Sequence, residues 1–117
     1  LTKDTNEAQE SFEIPPDMKV YYLRQLKRGP IWTAEETPEV ERLQAAHLAY
    51  GRSLHEAGKL LLNGPLLDNG DLRGAGVLRA DSLEEAQALA DADPAVQAGR
   101  LIAEIHPWMV HRGILPE

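Results

Sequence analysis

A histidine stands where a helix should present only apolar side chains. Val40, Leu43, His47, Tyr50 and Leu54 recur at helical spacing, so the apolar face of an amphipathic helix carries an imidazole at its centre. Imidazole ionises near neutral pH and suits proton transfer, whereas a ring sealed in a core must be satisfied by hydrogen bonds. Spacing alone leaves both readings open. Other residues invite the same double reading. Asp93-Pro94 looks first like a helix N-cap followed by a proline at the first helical position. Trp32 and Trp108 read as core or interface aromatics, or as walls of an apolar pocket. Arg73 and Arg100 read as surface or ion-pair residues; beside a pocket either would suit an anionic or phenolate ligand. Gly64-Pro65 interrupts an apolar run, and a strand bent there would open room for a ligand and turn backbone N–H groups toward it.

Several other chemistries are excluded. There is no cysteine, hence no disulfide framework, thiolate metal site or cysteine nucleophile. Ser11, Ser53 and Ser82 lack a nucleophile-elbow setting. Gly70, Gly74 and Gly76 belong to a hairpin, not to a phosphate loop between strand and helix. His47, Asp93, His106 and His111 are of the right type for zinc or iron, but no close His spacing joins them, so neither a metal nor a cofactor is expected. Lysines and arginines number 12 against 19 acids, a formal charge of −7, which disfavours nucleic acid and anionic membrane as partners. No apolar run approaches the roughly 18 residues of a membrane span. The start at Leu1 and the polar opening stretch fit a mature tail left after export to a compartment such as the periplasm, with the cytoplasm as the alternative.

The elements that must position these residues can be read in order. Residues 1–17 form a polar N-terminal extension, 18–112 the domain and 113–117 a tail. Val20–Leu26 is β-branched and aromatic enough for a strand. Thr37-Pro38-Glu39 opens a long helix that ends near Gly58. Lys59–Leu67 reads as a mostly buried strand, Asp68-Asn69-Gly70-Asp71 as a turn, and Leu72–Arg79 as the returning strand. Ser82 and Glu85 have capping-box spacing at the start of a second helix. Asp93-Pro94 begins a short helical turn, and Leu101–Val110 is a last strand, kept to an edge by Pro107. The order βαββαβ predicts an α+β, ferredoxin-like domain: a four-stranded antiparallel sheet with two helices on one face. Such a layering leaves the other sheet face bare, so a homodimer or a larger assembly is expected.

The ordered set Arg28-Gly29-Pro30 with Trp32-Thr33, Ala46-His47-Leu48, Gly58-Lys59-Leu60, Gly64-Pro65-Leu66, Leu72-Arg73-Gly74, Ser82–Ala86, Asp93–Arg100 and Glu104–Trp108 resembles the YCII-related proteins. The resemblance spans Lys19 to Trp108 and implies a dimeric α+β-barrel fold. It also implies a site built on His47 and Asp93, in a pocket between helices and sheet. One family type resembles a dehydrochlorinase of chlorinated hydroxyquinones. A carboxylate bonded to one ring nitrogen would fix the tautomer of His47 and raise its basicity, and Asp93 could cap with one oxygen while facing His47 with the other. The expectation is therefore an acid–base enzyme with His47 and Asp93 as its working pair. Trp32, Gly64, Pro65, Arg73 and Arg100 would line a pocket for a small aromatic or carbonyl-bearing molecule. The alternative is a non-catalytic module that binds or senses a small ligand in the same pocket.

Overall fold

The computed structural model describes residues 13–116, so most of the expected N-terminal extension lies outside the described residues. Four strands and three helices follow in the order β1 (Met18–Arg28), α1 (Pro38–Glu56), β2 (Leu60–Pro65), β3 (Leu72–Leu78), α2 (Leu83–Asp91), α3 (Pro94–Gln97) and β4 (Leu101–His111). The sheet order is β2-β3-β1-β4, with antiparallel pairing throughout. This is the expected α+β, ferredoxin-like arrangement. Among the described residues, no helix is long and apolar enough to cross a membrane.

Local signals explain most boundaries. Thr37 caps α1 through its hydroxyl, which accepts from the Val40 amide at 3.1 Å, and Pro38 sits where an amide would go unpaired anyway. Ser82 Oγ likewise accepts from the Glu85 amide at 3.0 Å. The Glu85 carboxylate reaches back one residue further than a capping box requires, to the Asp81 amide at 2.7 Å. Pro107 is tolerated because β4 is an outer strand.

Strand alternation divides β1 between two environments. Tyr22 and Leu26 face the helices, and each anchors its own cluster. Tyr22 packs with Leu54, Leu60, Leu78 and Ala86. Leu26 packs with Ala95 and Leu101, with Trp32 against them. Arg24 has the same phase as Tyr22 and Leu26 and stands between the two clusters, so the apolar layer is interrupted there. Among the described residues, no helix lies over the opposite face, which bears Leu23, Leu62, Ile102 and Trp108.

One expectation needs correction. The strand expected to be mostly buried at 59–67 is short and lies on an edge of the sheet. A register shift between Leu60 and Leu62 turns Leu62 to the open face, leaving it 61% exposed while Leu60 is 2% exposed. The turn expected at 68–71 does join antiparallel strands, but it is not the whole connection, which runs over 66–71. Within it Asn69, at φ 58°, takes the left-handed conformation.

Candidate active site

The short helix α3 exists because Asp93 caps it and Pro94 begins it, and that cap is also what reaches α1. Asp93 Oδ1 accepts from the Ala95 amide at 2.9 Å. Its Oδ2 lies 2.6 Å from His47 Nδ1. Both roles expected of the carboxylate are therefore filled at once. Asp93 is 3% exposed, whereas the His47 side chain remains 18% exposed. A carboxylate on Nδ1 makes that nitrogen the donor, so a neutral ring presents Nε2 as an acceptor. His47 borders two adjoining cavities, of about 430 and 210 Å³. Tyr50, one turn along α1, donates its hydroxyl to the Leu89 carbonyl at 2.7 Å and ties the histidine's helix to α2.

The second wall follows from a close backbone approach. Gly29 donates to the Arg100 carbonyl at 2.8 Å, and Ile31 to that of Gly99 at 3.0 Å. A Cβ on Gly29 would stand 2.3 Å from the Gly99 oxygen, so only glycine permits this contact. The contact brings Trp32 against Arg100, whose guanidinium carbon lies 4.3 Å from the indole centroid; that of Arg73 lies at 4.9 Å. Arg100 is held by the Thr33 carbonyl at 2.9 Å and Arg73 by the Gly70 carbonyl at 3.0 Å. Gly64 and Pro65, on the end of β2, complete the smaller cavity. Thus Trp32, His47, Gly64, Pro65, Arg73 and Arg100, which the sequence singled out, share one concave surface. Asp93 stands behind it. Trp108 is elsewhere, 46% exposed on the open sheet face.

The family model for the YCII-related domain matches residues 18–109. The chain belongs to the YCII-related family. Among solved structures, this YCII-related chain is similar to 5-chloro-2-hydroxyhydroquinone dehydrochlorinase from Burkholderia phenoliruptrix AC1100, in complex with 2,5-dihydroxybenzoquinone. The identity is 27% and the TM-score 0.56, and the match covers 75% of this chain and 92% of that one. No match was found among curated proteins.

Sequence reasoning missed Arg24 and Asn63. Arg24 borders both cavities and is 4% exposed, and its Nη2 donates to Asn63 Oδ1 at 2.5 Å. Its Nε is buried without a partner. Burial pulls the guanidinium below its ordinary range, while the negative charge of Asp93 pushes it back up. The signal was the strand's period: Arg24 alternates with Tyr22 and Leu26, so it had to face inward with them. His55 is exposed but not idle. Its Nδ1 lies 2.9 Å from the Leu60 carbonyl, pinning the end of α1 to β2.

Proposed function

We propose that this YCII-related protein is a small acid–base enzyme in which His47 takes or gives a proton through Nε2 while Asp93 holds its tautomer. One observation carries the reading: a carboxylate buried to 3% exposure meets the histidine at 2.6 Å on the wall of a cavity. A sealed core pair would need no cavity. The smaller space, about 210 Å³, suits a single substituted ring, since a cavity of about 150 Å³ admits benzene. Trp32 borders that space, and Arg73 and Arg100 packed on its indole favour electron-rich or anionic substituents. The likeness to a dehydrochlorinase complexed with a dihydroxybenzoquinone supports a small aromatic or carbonyl-bearing substrate.

The test compares wild type with His47→Gln for chloride release from 5-chloro-2-hydroxyhydroquinone, alongside melting temperature. Glutamine keeps polarity but exchanges no proton near neutral pH. Turnover should fall about 10²- to 10⁴-fold with little change in stability. Equal turnover in the variant would overturn the reading, as would a stability loss of about 1–3 kcal/mol without any turnover in wild type.

We also infer that two copies pair through the open sheet face. Leu62 at 61% exposure, with Ile102 and Trp108 at 46% each, leaves apolar surface that the helices on the other side cannot cover. Light scattering should give twice the chain mass, and Trp108→Asp should return the monomer. A monomeric wild type at micromolar concentration would refute this.

A further inference from the structure

The cavities beside His47 are positive in a chain whose formal charge is −7. Arg24 and Arg52 border the larger, and Arg24, Arg73 and Arg100 the smaller; among the described residues no aspartate or glutamate lines either. Arg73, Arg100 and Arg52 sit nearer solvent. Arg24 does not: it is 4% exposed and rises from the middle of the central strand. Among the described residues, no carboxylate comes within ion-pair distance of it, and Asp93 acts on it only from further away. Asn63 takes one Nη2 proton and Nε has no partner. Arginine does not shed its proton to escape this position. The fold also reserves space for it. A Cβ on Gly76 would stand 3.2 Å from Arg24 Nη2 and 2.9 Å from the Leu62 carbonyl. A buried, incompletely partnered cation on a cavity floor is costly to keep unless something anionic completes it.

We propose that Arg24, steadied by Asn63, is an oxyanion site that holds the phenolate or enolate oxygen of a substrate whose proton His47 accepts. The inference rests on the acid–base reading above and narrows its substrate to molecules with an acidic hydroxyl on a ring or on an enolised carbonyl. The step balances. The substrate O–H bond breaks, an N–H bond forms at His47 Nε2, and the electron pair stays on the substrate oxygen. A site that held Arg24 positive, Asp93 negative and His47 neutral then holds an imidazolium and one new anion, with no change in total charge. Preorganised positive charge aimed at a developing oxyanion in a site shielded from water is among the strongest ways to favour such a step.

4-Nitrophenol tests this without turnover, because its phenolate absorbs in the visible and its phenol does not. At a pH where most of the free probe is neutral, wild type should generate the phenolate band, with the bound probe's ionisation constant raised about 10- to 1000-fold by an adjacent cation. His47→Gln should retain most of that band, Arg24→Lys should keep a large part of it, and Arg24→Gln should lose it. A phenolate band that survives Arg24→Gln overturns the proposal. Should Arg24→Gln fail to fold, wild type decides. At a pH where the probe is fully ionised, it should bind 4-nitrophenolate at least about tenfold more tightly than 4-nitroanisole, a neutral ring of similar size; equal affinity overturns the site. The two readings fail separately. Unchanged turnover in His47→Gln refutes the acid–base role and leaves the phenolate band intact, whereas loss of turnover there with a band insensitive to Arg24→Gln refutes only the oxyanion site.

Discussion

Replacing Asp93 by asparagine asks one side chain to do two jobs with a single acceptor. In the native protein Oδ1 accepts from the Ala95 amide at 2.9 Å and Oδ2 meets His47 Nδ1 at 2.6 Å. Asparagine has one oxygen and one NH₂. If the oxygen keeps the cap, the NH₂ faces Nδ1, which must then accept, and the proton of a neutral ring moves to Nε2. If the oxygen keeps the histidine, the NH₂ opposes the Ala95 N–H and the cap, worth about 1 kcal/mol, is lost. That difference is roughly fivefold in population, so the first arrangement dominates. The nitrogen that faces the cavity changes from acceptor to donor and the general base disappears. In a serine-protease triad the same exchange lowers turnover by about ten-thousand-fold through the wrong tautomer. Stability should fall by only about 1 kcal/mol, the difference between a hydrogen bond to a charged group and a neutral one, because the cap and a bond to Nδ1 both survive. Imidazole ¹⁵N shifts in histidine-labelled protein read the tautomer directly, without any substrate. Wild type should show Nδ1–H and Asp93→Asn should show Nε2–H. The same tautomer in both would refute the reasoning whatever happened to activity.

Three further outcomes follow from packing and charge. Gly76→Ala should destabilise by about 1–3 kcal/mol in a urea titration, because its Cβ meets the Leu62 carbonyl at 2.9 Å and backbone must move; it should also weaken 4-nitrophenolate binding by displacing Arg24. Leu78→Ala, at a side chain with 0% exposure inside the larger cluster, should cost about 2–5 kcal/mol by the same assay. Burial, then the charge of Asp93, raises the Tyr50 phenol above its ordinary value of 10.0, and burial with Glu84, Glu85 and Asp81 raises Tyr22. Folded protein therefore holds these protons after the unfolded chain has lost them, and the stability they contribute, complete below about pH 10, falls as pH climbs further. Melting temperatures of Tyr50→Phe should decline less steeply over that alkaline range; an identical slope would contradict the assignment.

How far the site was legible depends on which kind of spacing encodes it. His47 stood out because a helix repeats its apolar face over many residues, and a polar side chain in phase with Val40, Leu43, Tyr50 and Leu54 is visible against that repeat. The α+β order was legible for a similar reason: Thr37-Pro38, Ser82 and Asp93-Pro94 are local start signals that need no tertiary information. The partnership of His47 with Asp93 is different in kind. It spans 46 residues and two helices, no local rule relates the two, and only family resemblance suggested it. Burial on β2 failed because its side chains depend on a register shift between Leu60 and Leu62, which is a property of pairing with β3 and leaves no trace in composition.

Arg24 is the instructive case between these limits. Counting by two from Val20 puts it on the inward face with Tyr22 and Leu26, yet a cation in a short strand is ordinarily read as the solvent-facing half of the alternation. What reverses that reading is the flanking pair, since Tyr22 and Leu26 each pack into a cluster beneath the helices and so fix the strand's phase on both sides of it. A strand cannot turn one residue outward between two inward neighbours without a bulge, and the pairing of β1 with β4 runs unbroken from Met18 to Arg28. The guanidinium is therefore carried inward by the hydrophobic residues around it, and the cavity between the two apolar clusters follows from the same cause: neither cluster can close over a charge that the strand holds in place.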